Sequence, residues 1–275
     1  MSTSCANTAN VLERAAFGSN PDAWPLPPAD TAHELWLRAV IAGGQGRYAS
    51  ALADLDRLRR LGGSDARASL ASLASLASLA SSTRASFLRQ LGWHHVARGW
   101  DGRAAALAHT DEAWADAMIG LAADALGVGR FAASARALEL ATPRVADSGS
   151  DRLPIRLAWV SAELAMFRGD GAAAVAPAER GVWLSSDFGS VRHAVKSRVV
   201  LAAALCSAGD FPSARREGRE ALDQALGSGL VPLQWAVASL LADIADDARS
   251  ASRYQALRDE SAEKVIRWGG VWRPR

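Results

Sequence analysis

His94, His95 and His109, and the pair Cys206 with His193, are the residues whose types and spacing come nearest to catalytic or metal chemistry. Adjacent histidines on a helix point to different faces, and no HExxH or second ligand cluster accompanies them, so they make a poor metal site. Cys206 follows His193 by thirteen residues on one helical stretch. That is more than three turns, too far for the imidazole to activate the thiol. GxSxG and Walker patterns are absent, and GVGRFAA at 127–133 lacks the strand that must precede a dinucleotide loop. The expectation is a chain with no catalytic residue, no metal and no cofactor, that is, not an enzyme.

Composition points to helices. Alanine supplies much of the 49% apolar content, while Tyr and Phe are few beside ten Trp, a balance that favours helix over strand. A chain of 275 residues is long for one compact core and suggests a repetitive body. The formal charge of +2 offers no general attraction to nucleic acid or an anionic membrane. Cys5 and Cys206 lie far apart and imply no disulfide framework. The N-terminus has neither a basic n-region nor an apolar h-region, and no apolar run approaches the ~18 residues of a membrane span. The reading is cytoplasmic.

A turn-like motif recurs as GQGRYASA at 44–51, ARGWDGRAA at 97–105, GVGRFAAS at 127–134, FRGDGAAA at 167–174 and AGDFPSA at 208–214. Alanine-rich segments with helical spacing flank each copy. Glycine ends a helix without a Cβ penalty, Asp210 can cap the next, and Pro212 suits its first turn. Tyr48, Phe131 and Phe211 are then placed to wedge between paired helices, with Ala51 and Ala214 allowing close approach. Gly129, Gly169 and Gly209 are 40 residues apart, the recurrence of a helical solenoid.

These motifs resemble those of the tetratricopeptide repeat (TPR) family. Its second turn glycine, following aromatic and later alanine correspond to Gly46, Tyr48 and Ala51, and to Gly209, Phe211 and Ala214; its first-helix LG pair corresponds to Leu91 and Gly92. The resemblance covers about residues 30–260. It implies an all-α fold, a right-handed α-solenoid of about five to six helix-turn-helix repeats. The organisation expected is a short N-terminal helix and Pro-rich connector over 1–30, a TPR-like domain over 31–266 and a Trp/Arg tail over 267–275.

Helix pairs are expected at 31–44 with 48–61, 83–98 with 102–109, 111–127 with 131–142, 153–167 with 171–182, 188–207 with 211–226, and 232–246 with 248–266. ASL occurs four times in tandem from Ala68 to Leu79. Without these twelve residues the Gly46–Gly99 spacing of 53 falls to 41, so the tract reads as an expansion. It forms an extra helix at 65–80 capped by Ser64 and broken at Ser81-Ser82, whose leucines dock on a neighbour or offer a dimerisation face. In the tail, Trp268 and Trp272 are expected to fold back on the last helices rather than stand in water.

In the family resembled, the first helix of each repeat lines a concave face that holds a peptide or partner helix. That resemblance puts Trp36, Arg89, Trp93, Arg156, Trp159, Glu163 and Lys196 in the groove, with His33, Asp116 and Gln234 nearby. Arg89 with Trp93 and Arg156 with Trp159 are spaced to share a helical face, offering a guanidinium beside an apolar platform. No Asn lies on these helices, which argues against a Lys/Asn carboxylate clamp. The functional expectation is a non-enzymatic adaptor or regulator that binds a protein or peptide segment. The alternative is a nucleic-acid-associated regulatory protein or the sensor domain of a transcription regulator, although the arginine runs at 57–60 and 215–220 read as solvated outer faces.

Overall fold

The computed structural model describes residues 2–61 and 70–274, and among them it is all-α with 13 helices and no strand. They are α1 (Ser2–Phe17), α2 (Ala32–Gly44), α3 (Tyr48–Leu61), α4 (Leu70–Gln90), α5 (His94–Leu107), α6 (Asp111–Gly127), α7 (Phe131–Asp147), α8 (Arg152–Phe167), α9 (Gly171–Phe188), α10 (Val191–Ser207), α11 (Phe211–Gly227), α12 (Val231–Asp243) and α13 (Ala248–Arg267). From α2 onward each helix packs on its successor, and the even-numbered helices also touch one another in order: α2 on α4, α4 on α6, α6 on α8, α8 on α10, α10 on α12. These even-numbered helices therefore form an inner layer and the odd-numbered ones an outer layer, consistent with a solenoid. No helix among the described residues is long and apolar enough to cross a membrane.

Local chemistry sets the helix ends. Thr31 and Glu34 form a reciprocal capping box at α2, and Asp170, Asp210 and Asp247 each accept a backbone N–H from the first turn they precede. Gly129, Gly149, Gly169, Gly189, Gly209 and Gly229 all have positive φ and succeed one another every 20 residues. The 40-residue recurrence is thus one of two interleaved series, the second marking the turns between pairs. Fully buried alanines, among them Ala51, Ala174 and Ala214, let neighbouring backbones approach. This is why a chain poor in large side chains can still exclude water.

The second pair departs from expectation. Helix α4 runs unbroken through Ser81 and Ser82 to Gln90, and the turn comes at Leu91-Gly92-Trp93, with Gly92 at φ +86. ARGWDGRAA is therefore interior to α5, Gly99 marks no turn, and Leu91-Gly92 ends a first helix rather than sitting within it. The described part of the ASL tract is the front half of α4. Ser81 satisfies its hydroxyl on the Ala77 carbonyl, Ser78 donates to Ala104 O at 2.8 Å, and Leu76 and Leu79 pack on the chain's own core. The expected Ser64 cap and the start of the tract at Ala68 lie outside the described residues. Pro143 and Pro177 stand inside α7 and α9, which run on past the predicted ends.

Phe211 is a second correction. It is 44% exposed, whereas Tyr48, its counterpart in the first pair, is 1% exposed and donates from Oη to Gln90 Oε1 at 2.8 Å. The difference lies in the covering of each turn. Over Tyr48 lies the C-terminal tail, whose Gly270 comes against the Tyr48 ring; the tail does not reach the α10–α11 turn.

The two ends of the array meet. Helix α1 packs against α2 and α10, with Val191 N donating to Gly18 O at 3.1 Å. After α13 the chain turns at Gly269 and crosses the first two pairs: Ala49 N donates to Trp268 O at 2.9 Å and Arg273 N to Leu91 O at 2.9 Å. Trp268 and Trp272 join the core built on Leu35, Leu37 and Tyr48. The tail folds back, but onto the first helix pairs as well as the last.

Gly269 shows how tight this crossing is, because a Cβ there would lie 2.6 Å from Ala49 Cβ at a φ of +88, whereas one on Gly129, at φ +73, would meet nothing within 4 Å. Gly129→Ala should cost about 1–2 kcal/mol, the strain of a left-handed residue. Gly269→Ala should cost roughly 2–5 kcal/mol by adding a steric clash to that strain. Urea unfolding of the two variants checks the ordering, and equal losses would mean the tail is not held against α3.

Candidate functional site

The inner helices line a partly open chamber of about 440 Å³, within the size range of small-ligand sites. Its wall draws on Phe17 at the end of α1, Trp36 from α2, Arg89 from α4, Asp116 from α6, Arg152, Arg156, Trp159 and Glu163 from α8, Arg192, His193 and Lys196 from α10, and Trp235 from α12. Six of the seven residues expected in the groove, Trp36, Arg89, Arg156, Trp159, Glu163 and Lys196, line this one space. Trp93 does not. It ends the α4–α5 turn, and its indole donates to Val271 O of the tail at 2.7 Å. Gln234 is buried away from the chamber, donating to Ala225 O at 2.9 Å, and His33 lies at the outer edge of α2, 3.9 Å from Glu13.

Arg89 plays a part that spacing could not reveal. Its guanidinium pairs with Asp101 of α5 and with Asp124 of α6 at 2.9 Å, both carboxylates being fully buried, and it also reaches Gly120 O at 3.3 Å. Ser82 Oγ donates to Asp101 at 2.9 Å. A Cβ on Gly120 would fall 2.3 Å from Asp101 Oδ2, so glycine is what admits this carboxylate to the α6 backbone. Burial works against the charge of Arg89, but Asp101 and Asp124 together outweigh it and hold its pKa above the ordinary value. The residue clamps three helices, so the reading of Arg89 as a groove cation free to meet a partner is overturned.

Further round the wall, Arg152 and Arg156 converge on Asp116, the former at 2.8 Å and also 3.4 Å from Glu112. Lys196 pairs with Glu163 at 3.2 Å. Burial pushes Arg156 down to about 10, with Arg89 adding repulsion, and pushes Arg192 down to about 10, with Arg152 adding to it. His193 is held well below its usual value by burial and then by Arg192, Arg152 and Arg156, which leaves it neutral. Its Nδ1 lies 2.8 Å from Ser190 Oγ. Arg152, Arg192, His193, Phe17 and Trp235 were not among the groove residues expected from sequence. A signal existed for two of them, since Arg152 precedes Arg156 by four residues and Arg192 precedes Lys196 by four, one turn along the same faces.

Cys206 lies away from the chamber lining, and burial, with Asp243, raises its thiol. Among the described residues no three His, Cys, Asp or Glu side chains gather as metal ligands would. Comparison with protein-family models and with curated proteins returns no match for this chain.

Arg89→Ala should lower stability by about 3–5 kcal/mol, because it leaves two buried carboxylates without a counter-charge; a loss below about 1 kcal/mol in urea unfolding would contradict the clamp. Asp124 supplies a pH test. Burial raises its carboxyl from 3.8 to about 7, with Arg89 opposing and Asp101 reinforcing the shift. Its protonated form is favoured in the fold, so its contribution is fully present below 3.8 and is lost as the pH rises through about 7. Asp124→Asn cannot ionise and keeps an acceptor for Arg89. Its stability relative to wild type should therefore improve as pH rises across that window, and parallel pH–stability curves would show Asp124 to titrate normally.

Proposed function

We propose that this chain is a non-enzymatic cytoplasmic adaptor or regulator, a right-handed TPR-like solenoid of about six helix pairs that takes an acidic protein or peptide segment on its concave face. The observation that carries this reading is the make-up of the inner wall. Four cations, Arg152, Arg156, Arg192 and Lys196, face two lining carboxylates, Asp116 and Glu163, beside Trp36, Trp159 and Trp235. Trp and Arg are the residues that most often carry binding energy when desolvated together. Charge-assisted bonds from guanidinium groups select carboxylates.

Outward charge does not favour nucleic acid. Arg59 pairs with Asp56, Arg215 and Arg219 with Asp246, and Arg216 with Glu217, so the arginine-rich stretches of α3 and α11 carry interleaved carboxylates rather than a continuous basic stripe.

Anisotropy titration of fluorescent acidic decapeptides against the protein tests the proposal. Lys196→Gln should weaken the peptides that bind by about tenfold, near 1.4 kcal/mol. The helical spectrum and melting temperature should stay close to wild type, because a pair as exposed as Lys196–Glu163 contributes little to folding. Absence of binding by any acidic peptide, or tighter and steeply salt-dependent binding of duplex DNA, would refute it.

A further inference from the structure

The end of the chamber nearest α10 has a chemistry of its own. Four rings succeed one another along its wall: Trp36 to Phe17 at 5.6 Å, Phe17 to His193 at 6.2 Å, and His193 to Trp159 at 5.5 Å in a stacked pair. All four line the cavity, as do Arg152, Arg156 and Arg192. The three guanidinium groups are not equivalent. Asp116 holds Arg152 and Arg156, and Glu112 adds a longer contact to Arg152. Arg192 has no carboxylate among its partners. Its Nε is buried with no hydrogen-bond partner, its Nη2 makes one long bond to Ala16 O at 3.4 Å, and its guanidinium lies 5.7 Å from the Phe17 ring centroid.

Of the three guanidinium groups Arg192 alone has no carboxylate within ion-pair distance, and it stands in a space walled by aromatic rings. A buried cation without a counter-ion is costly, and the same cation completed by an anion is not. One unpaired guanidinium is matched by a single anionic charge, which a carboxylate supplies and a phosphate dianion would exceed. His193, kept neutral by burial and by its cationic neighbours, is packed among Trp159, Phe17 and Phe188 and adds no second charge to satisfy. Aromatic pairs are favoured in stacked or edge-to-face arrangements, and a flat ligand can extend a series already in contact.

We propose that this end of the chamber is a binding pocket for an aromatic carboxylate, whose carboxylate completes Arg192 and whose ring lies against the Phe17, His193 and Trp159 series. The pocket goes beyond the peptide reading of the concave face and does not require it, because a free aromatic acid and the aromatic C-terminal residue of a peptide present the same chemistry.

Calorimetric titration with phenylacetate, phenylacetamide and acetate separates the two halves of the pocket. Phenylacetate should bind, with phenylacetamide and acetate each at least about tenfold weaker, since one lacks the charge and the other the ring. Arg192→Gln should lose at least about tenfold in phenylacetate affinity while melting at or above the wild-type temperature, because it removes an uncompensated buried charge. Equal binding of acid and amide would overturn the pocket without recourse to any variant. So would undiminished binding by Arg192→Gln, or no phenylacetate binding through millimolar concentrations. A short peptide ending in phenylalanine, with its C-terminus free or amidated, identifies the source: tighter binding of the free-ended peptide than of phenylacetate points to a chain end, the reverse to a free acid, and both support the pocket. Acidic peptides that bind wild type and Arg192→Gln alike, with no phenylacetate binding, would overturn the pocket and leave the peptide reading standing; phenylacetate binding without any acidic peptide binding would do the opposite.

Discussion

The guanidinium of Arg47 lies between two indoles, 4.2 Å from the ring centroid of Trp24 and 4.2 Å from that of Trp268. One ring belongs to the connector ahead of α2 and the other to the start of the tail beyond α13. Arg47 Nε also donates to Gln45 Oε1 at 3.1 Å, and Gln45 Nε2 donates to Pro21 O and Ala23 O at 2.9 and 3.0 Å. A cation held between two aromatic faces draws on the ring quadrupoles of both. Here it fastens the two ends of the array at one point. Solenoid helices otherwise contact only near neighbours, and the contacts of α1 with α10 and of the tail with α3 and α4 belong to the same closure.

Burial decides how the inner charges differ from one another. A partly exposed pair such as Lys196–Glu163 is worth little. Arg89, Arg152, Arg156 and Arg192 are partly withdrawn from water, and each finds compensation in the protein or goes without. Arg89 finds two carboxylates and becomes a clamp. Arg152 and Arg156 share Asp116. Arg192 is the residue left over, and its placement beside Phe17 and His193 sets it apart from a structural ion pair.

Small residues make that arrangement possible. Gly120 admits the Asp101 carboxylate, Gly44 leaves room for the Arg192 stem at 3.1 Å from where its Cβ would be, and Gly127 faces the His94 ring. The same abundance of small residues accounts for the tolerance of the ASL tract. Ala and Ser can face a neighbouring helix without bulk, while Leu76 and Leu79 reach the core and Ser78 finds a partner in α5.

Alanine-rich helical spacing, glycine punctuation and aspartate caps are local features, and they suffice for an all-α chain of paired helices; the inner position of the first helix of each pair came only as an implication of the family resemblance. The grouping of Trp36, Arg89, Arg156, Trp159, Glu163 and Lys196 was likewise implied by that resemblance, and spacing added only that Arg156 and Trp159, three apart, share a face. Other features depended on neighbours distant in sequence. Whether an aromatic after a turn is buried, as Tyr48 is, or exposed, as Phe211 is, depends on the tail arriving from more than 200 residues away. The second pair escapes a reading by spacing because Gly99 and Gly92 are alike as local signals, and only packing of α4 against α5 and α6 selects between them. Arg89 and Arg192 are the same residue type on similar inner helices, and tertiary structure alone assigns one to two buried aspartates and leaves the other without a carboxylate, because ion pairing depends on what packs opposite and not on the spacing along a helix.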